Sequence, residues 1–279
     1  MAAKQTYRLG LSPCPNDTFI FYALLHGLVD CKVKLKPHMA DVEELNNLVM
    51  AGELPFSKLS LGVVSQIMDK YALLSSGAAL GFGCGPLVVA RSKLGTSELK
   101  TAKVAIPGLL TTANLLLTLT DMFHGQRCEM LFSDVMGAVA RGEADVGVII
   151  HEGRFTYAEH GLVKILDLGE FWEKTYNLPL PLGAIAVRRD LDRDLALDME
   201  KSISASVRFA WQNPDKAQGF IREHAQELEP KVIEAHIKTF VTKYSEDLGD
   251  DGRAAITHLV TEAAKLTQKN IPKEGLFLV

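Results

Sequence analysis

Apolar residues in this chain fall in short runs that alternate between two spacings. Residues 7–11, 33–37, 56–61, 87–91, 103–106, 128–132, 144–150, 163–168 and 183–188 are compact apolar stretches with the length and β-branched content of strands. Residues 73–76 begin another. Between them, residues 18–28, 41–49, 63–70, 111–122 and 133–141 show the wider spacing of helices with one buried face. Asp41 stands as a cap before the second of these and Gly52 follows its end. From about Leu195 to Lys269 the pattern is helical, punctuated by Pro214, Pro230 and Gly249.

Strands alternating with helices predict an α/β protein with mostly parallel sheets. The series runs once to about residue 91 and restarts near Lys103. This predicts two lobes, the first discontinuous (1–91 with 188–279) and the second inserted (92–187). Apolar connectors at 87–91 and 183–188 would carry the chain across twice. Such an arrangement sets a cleft between the lobes with strand ends facing it.

The first strand runs into Ser12-Pro13-Cys14-Pro15-Asn16-Asp17-Thr18. Each proline fixes φ and lacks an N–H, so the strand stops there. Asn16, Asp17 or Thr18 can then cap the following helix. A polar strand-to-helix turn of this kind is where open α/β sheets place ligands, and the two-lobe reading turns Asn16, Asp17 or Thr18 toward a substrate. It serves equally as a capped structural corner, and Cys14 reads as a packing residue.

Two further turns fall at comparable strand ends. Phe56-Ser57-Lys58-Leu59-Ser60 offers hydroxyls and an ammonium, or else a plain surface turn. Gly108-Leu109-Leu110-Thr111-Thr112 places two hydroxyls at a helix start, where free N–H groups can hold a carboxylate. His151 directly follows the apolar strand 144–150. A histidine at a strand's carboxyl end can serve as a general base near neutral pH; it can also be a loop residue held by a hydrogen bond. The other seven histidines, His236 among them, read as surface or packing residues on helices. Gly81-Phe82-Gly83-Cys84-Gly85-Pro86 reads as a hinge or as backbone that lets a ligand approach.

Composition narrows the chemistry. With 279 residues the chain can build two cores, and 47% hydrophobic with 23% charged residues is ordinary for a globular protein. A net charge of −4 without a basic run argues against nucleic acid and membrane surfaces as partners. No signal-peptide core or bilayer-length apolar segment is present, so a cytoplasmic location is expected. The four cysteines are dispersed, which predicts reduced thiols and no zinc site. No glycine-rich nucleotide motif occurs, and no metal or other cofactor is called for. The expected partner is a small molecule, with room left for a homodimer.

Long segments of the chain resemble one family. They are Ser12-Pro13-Cys14-Pro15-Asn16-Asp17-Thr18-Phe19-Ile20-Phe21-Tyr22-Ala23-Leu24, Asp41-Val42-Glu43-Glu44-Leu45-Asn46, Lys58-Leu59-Ser60, Gly85-Pro86-Leu87-Val88-Val89-Ala90-Arg91, Thr111-Thr112-Ala113, Ile149-Ile150-His151-Glu152-Gly153-Arg154-Phe155-Thr156-Tyr157 and Leu178-Pro179-Leu180-Pro181-Leu182-Gly183-Ala184. These segments are similar to 1,4-dihydroxy-6-naphthoate synthases of the futalosine route to menaquinone. The resemblance implies a two-lobed fold like type II periplasmic binding proteins, with the active site in the interlobe cleft. It implies a lyase that converts cyclic dehypoxanthinyl futalosine to 1,4-dihydroxy-6-naphthoate and releases a sugar-derived fragment. It places the general base on His151 and substrate-binding segments on Lys58, Leu59 and Ser60 and on Thr111 and Thr112. Gly153 departs from the family pattern, which has a serine there. The competing reading is a non-catalytic small-carboxylate-binding protein on the same scaffold, because function lives in the site and not in the fold. Missing export signals and His151 favour the enzyme.

Overall fold

A computed structural model describes residues 4–226 and 229–278. Met1-Ala2-Ala3, where the expected absence of a leader begins, and Glu227-Leu228 of the helical tail lie outside the described residues. The chain divides into two compact units: one ends at Gly81 and resumes at Pro181, the other is Phe82–Leu180.

The strands, in chain order, are β1 (Thr6–Leu11), β2 (Lys34–Met39), β3 (Phe56–Ser60), β4 (Tyr71–Leu73), β5 (Ala79–Gly81), β6 (Leu87–Ala90), β7 (Val104–Ile106), β8 (Arg127–Glu129), β9 (Val146–Ile149), β10 (Val163–Asp167) and β11 (Leu180–Arg188). The discontinuous unit holds a sheet of order β2-β1-β3-β11-β4, with β5 paired to β11. The inserted unit holds a sheet of order β10-β6-β9-β7-β8.

Both sheets are mixed. β1 runs parallel to β2 and β3, and β7 runs parallel to β8 and β9. β11 is antiparallel to β3 and β4, and β6 is antiparallel to β9 and β10. The expectation of mostly parallel sheets therefore misses these two strands. The boundaries shift for the same reason. Residues 82–91, expected in the first unit, belong to the second because β6 lies between β9 and β10. Residues 181–187, expected in the second, belong to the first because β11 lies between β3 and β4.

The core of the discontinuous unit joins Leu9, Leu11 and Phe56 of the sheet to Phe19 and Ile20 of the helix Pro15–Leu25 and to Ile203 and Val207 of the helix Arg193–Gln212. Ser206 ties those helices, its hydroxyl donating to Ile20 O at 2.6 Å and accepting from Leu24 N at 3.1 Å. The first helix starts at Pro15, not at Thr18 as the capping residues suggested. Proline fits the first helical position because its missing N–H would have no partner there. Asn16 and Asp17 thus sit in the first turn, and Cys14 is the cap residue. The expected cap at Asp41 is present, its carboxylate accepting from Glu43 N at 2.8 Å, and Gly52 closes that helix at φ 78°. Pro214 and Pro230 likewise begin helices.

The inserted unit packs Leu87, Val89, Ala105 and Ile149 of its sheet against Val135 and Val139 of the helix Val135–Ala140. In the glycine-rich segment 81–86, Phe82 and Gly83 are exposed and residues 84–86 are buried. A Cβ on Gly85 would run into the Gly169 backbone. Cys84 is buried beside it, and burial pushes its thiol up to about 12, so it stays protonated and inert at neutral pH.

Gly10 faces the tightest strand contact. It pairs with Ser57 across β1 and β3, and a Cβ there would collide with Ser57 Oγ and lie 2.8 Å from Leu54 Cδ1. Gly10→Ala is expected to lower unfolding free energy by about 1–3 kcal/mol, read from urea denaturation; a loss near zero would mean β3 moves aside freely.

Candidate functional site

In the discontinuous unit, the carboxyl ends of β1 and β3 bring the first expected turn and the Lys58 segment together. Asp17 has no exposed surface. Its Oδ2 accepts from Ser12 N at 3.0 Å and Ser12 Oγ at 2.9 Å. Its Oδ1 accepts from Asn16 Nδ2 at 2.8 Å and from Lys58 Nζ at 2.9 Å. A buried carboxylate is tolerable when opposite charge and several donors surround it, and both conditions hold here. Lys58 projects from β3 and is itself buried. Gly183 on β11 leaves room for its stem: a Cβ would lie 3.1 Å from Lys58 Cε and 2.7 Å from Leu59 O. Leu59 is fully buried core.

Ser60 follows Lys58 as the cap residue of the helix Leu61–Ile67. Its N–H donates to Asn46 Oδ1 at 2.9 Å, and Asn46 Nδ2 donates to Glu43 Oε2 at 3.0 Å. Asn46 and His236 are the residues that sequence reasoning missed in this unit. His236 is fully buried, with Nε2 2.9 Å from Asn16 Oδ1. Both carried a readable sign. Ile233, His236, Ile237 and Phe240 share one helical stripe, and Asn46 lies beside Leu45 and Val49 on the buried face of its helix. A polar residue on an apolar stripe has a partner to find.

The inserted unit gathers its polar ends differently. Thr111 caps the helix Thr112–Leu119, accepting from Asn114 N at 3.2 Å and donating to Gly108 O at 2.7 Å. The Thr111 hydroxyl expected to hold an anion is therefore engaged in the cap, and Thr112 sits buried in the first turn. Gly108 takes φ 146°, a conformation that side chains avoid. Leu109 and Leu131, just beyond β7 and β8, are 52% and 58% exposed.

His151 lies two residues past β9 at φ 54°. A non-glycine residue in that region costs some backbone energy, as at Asn177 and Gln268, which end helices with the same conformation. The Phe132 ring stands edge-on to the imidazole, centroids 4.9 Å apart. The turn is anchored from behind: Arg154 donates to Gly85 O and pairs with Asp167 Oδ2 at 3.6 Å. Asp167 Oδ1 in turn accepts from Gly169 N and Glu170 N at 2.9 and 3.2 Å. Phe132 and Arg154 were not expected as site residues. A Cβ on Gly153 would meet Ile149 and Met136 at ordinary contact distances of 3.5 and 3.6 Å, so the serine of the family pattern fits there.

A family model described as menaquinone biosynthesis matches residues 7–265, a span that holds every residue of both clusters. The chain belongs to that family. Its menaquinone-biosynthesis relatives include the 1,4-dihydroxy-6-naphthoate synthase of Thermus thermophilus, 47% identical over 93% of this chain and 94% of that protein. The enzyme of the same name from Streptomyces coelicolor is 43% identical over 94% of each. Among solved structures, an Archaeoglobus fulgidus protein superposes with a TM-score of 0.87 at 34% identity, covering 94% of this chain and 98% of that one. The ligand-binding component of a Staphylococcus aureus ABC importer gives a TM-score of 0.73 at 13% identity, covering 99% and 97%. The fold is therefore periplasmic-binding-protein-like, and the chain serves menaquinone biosynthesis. Among the described residues no helix is long and apolar enough to cross a membrane.

Asn16 and Asp17, expected to meet substrate, have their side chains committed inside the network, where Asp17 holds Lys58. Asp17→Asn strands a buried ammonium and is expected to cost about 3–5 kcal/mol of stability. Adding Lys58→Met should recover more than half of that loss in urea denaturation; equal losses in single and double variants would show that the pair is not what the network needs.

Proposed function

We propose that this menaquinone-biosynthesis enzyme is a carbon–carbon lyase that converts cyclic dehypoxanthinyl futalosine to 1,4-dihydroxy-6-naphthoate, with His151 as general base. The observation that carries the reading is His151 itself: an imidazole held at positive φ just past a buried strand, braced by Phe132 and by the Arg154 anchor. An imidazole just past a strand end suits proton removal from the sugar-derived part of the substrate. The proton passes to the imidazole; the electron pair it leaves forms a double bond in the released fragment as the neighbouring carbon–carbon bond breaks, and the pair of that bond passes into the ring of the naphthoate product.

The remaining residues bind. The substrate's carboxylate needs N–H and O–H donors and a cation. In the discontinuous unit Lys58 and Ser60 offer a cation and an O–H; taken by itself, the inserted unit offers N–H groups at the first turn of the helix Thr112–Leu119. Thr111 acts by setting that turn, since its hydroxyl is spent on the cap. Exposed Leu109 and Leu131 suit the face of a fused aromatic ring. The names of the relatives support this assignment of product.

Purified protein incubated with cyclic dehypoxanthinyl futalosine is expected to yield 1,4-dihydroxy-6-naphthoate by mass spectrometry. His151→Ala should reduce turnover by at least about 10²-fold, the typical worth of a general base, while product affinity stays near wild type. Thr111→Ala should raise KM more than it lowers kcat. Substrate binding without turnover in the wild type would favour the carboxylate-binding protein, and full turnover by His151→Ala would remove that residue as the base.

A further inference from the structure

The polar network around Lys58 continues past the residues expected to bind. His236 lies on the helix Pro230–Phe240, some 220 positions from its partner Asn16. Its ring is fully buried on a stripe with Ile233, Ile237 and Phe240, and it packs on the Phe240 ring at 4.6 Å. Apolar packing alone would be served better by leucine, so the imidazole needs a polar reason.

Donor and acceptor accounting supplies one. A carboxylate accepts and never donates, so the Asn16 group facing Asp17 is its NH₂. The Asn16 carbonyl oxygen then faces His236. A carbonyl oxygen cannot donate either, so His236 Nε2 carries a proton. The order runs in one direction: His236 Nε2–H to Asn16 Oδ1, Asn16 Nδ2–H to Asp17 Oδ1, and Lys58 Nζ–H to that same Oδ1. Ser12 holds the other carboxylate oxygen twice. Without the donor from His236, the Asn16 amide can turn over and present its oxygen to the Asp17 carboxylate. The repulsion would loosen the grip of Asp17 on Lys58.

We propose that His236 is a positioning residue: its Nε2–H locks the Asn16 amide, which fixes Asp17 and so aims the Lys58 ammonium at an anionic group of the substrate. This rests on the reading of Lys58 as a substrate-binding residue. It assigns His236 no contact with substrate and no part in proton transfer.

The test compares His236→Gln, which keeps an N–H at about the reach of Nε2, with His236→Met, which keeps the bulk and loses the donor. His236→Met is expected to raise KM for cyclic dehypoxanthinyl futalosine and the Kd for 1,4-dihydroxy-6-naphthoate by about tenfold, with kcat within about threefold of wild type. His236→Gln should stay within about threefold of wild type in all three, and all measurements are made well below the melting temperature of His236→Met, which loses a buried hydrogen bond. Equal impairment of both variants, or of neither, would overturn the proposal. Should His236→Met not fold, Asn16→Ser breaks the line from its other end with the same expected rise in KM, and an unchanged KM counts against it. Side-chain nitrogen NMR of the wild type gives a readout without any ligand: a proton on His236 Nε2 is required, and an Nδ1-only tautomer sinks the proposal. Absence of wild-type turnover is a separate result, which defeats the proposed reaction and leaves the tautomer and the stability of the network to be read directly.

Discussion

A carboxylate with no access to water is the constraint from which most of the discontinuous unit's polar architecture follows. Asp17 cannot be buried as an anion unless a cation and several donors reach it at once. Lys58 must therefore come from the neighbouring strand, which requires β3 to lie close against β1. Gly10 permits that approach, and Gly183 keeps β11 off the lysine stem. Ser12 must turn both its N–H and its hydroxyl back on the first helical turn, which Pro13 and Pro15 make possible by ending the strand and starting the helix within a few residues. Two segments 41 residues apart, the turn after β1 and the strand β3, meet through one charge.

The inserted unit solves a related problem with a different economy. Its cation, Arg154, reaches a backbone carbonyl and a carboxylate, and that carboxylate is already holding a helix start at Gly169 and Glu170. The reach of the guanidinium joins the turn after β9 to the segments flanking β6 and the helix Leu168–Tyr176. Packing of this kind holds His151 in a backbone conformation that it would not choose alone.

Much of this was legible in the chain. Most strand positions, the Asp41 cap, the Gly52 stop and the place of Ser60, Thr111 and His151 at or just past strand ends follow from local pattern, whereas β5 was not read and Lys58 lies within β3 and not in a turn. The start of the first helix was misplaced because the favoured cap residues, Asn16 and Asp17, outweighed the quieter signal of proline at the first helical position. The unit boundaries were misplaced because a strand's period does not say which sheet it joins; only pairing does, and β6 and β11 pair antiparallel with strands distant in sequence. His236 was dismissed because the argument for a buried histidine needs its partner, and Asn16 lies at the other end of the chain.

The place of β11 in its sheet bears on how the protein is made. β3 and β4 are emitted early, yet neither pairs with the other; the strand between them arrives only after the whole of Phe82–Leu180 has been synthesised. During translation the first sheet must wait with its middle missing and one edge of β3 bare, while the inserted unit, whose sequence is continuous, can finish first. The helices that cover the early core, Arg193–Gln212 and those after it, come later still. Synthesis order therefore makes the second unit the template of time and the first unit the late assembly, with the Lys58 site completed among the last parts of the molecule to leave the ribosome.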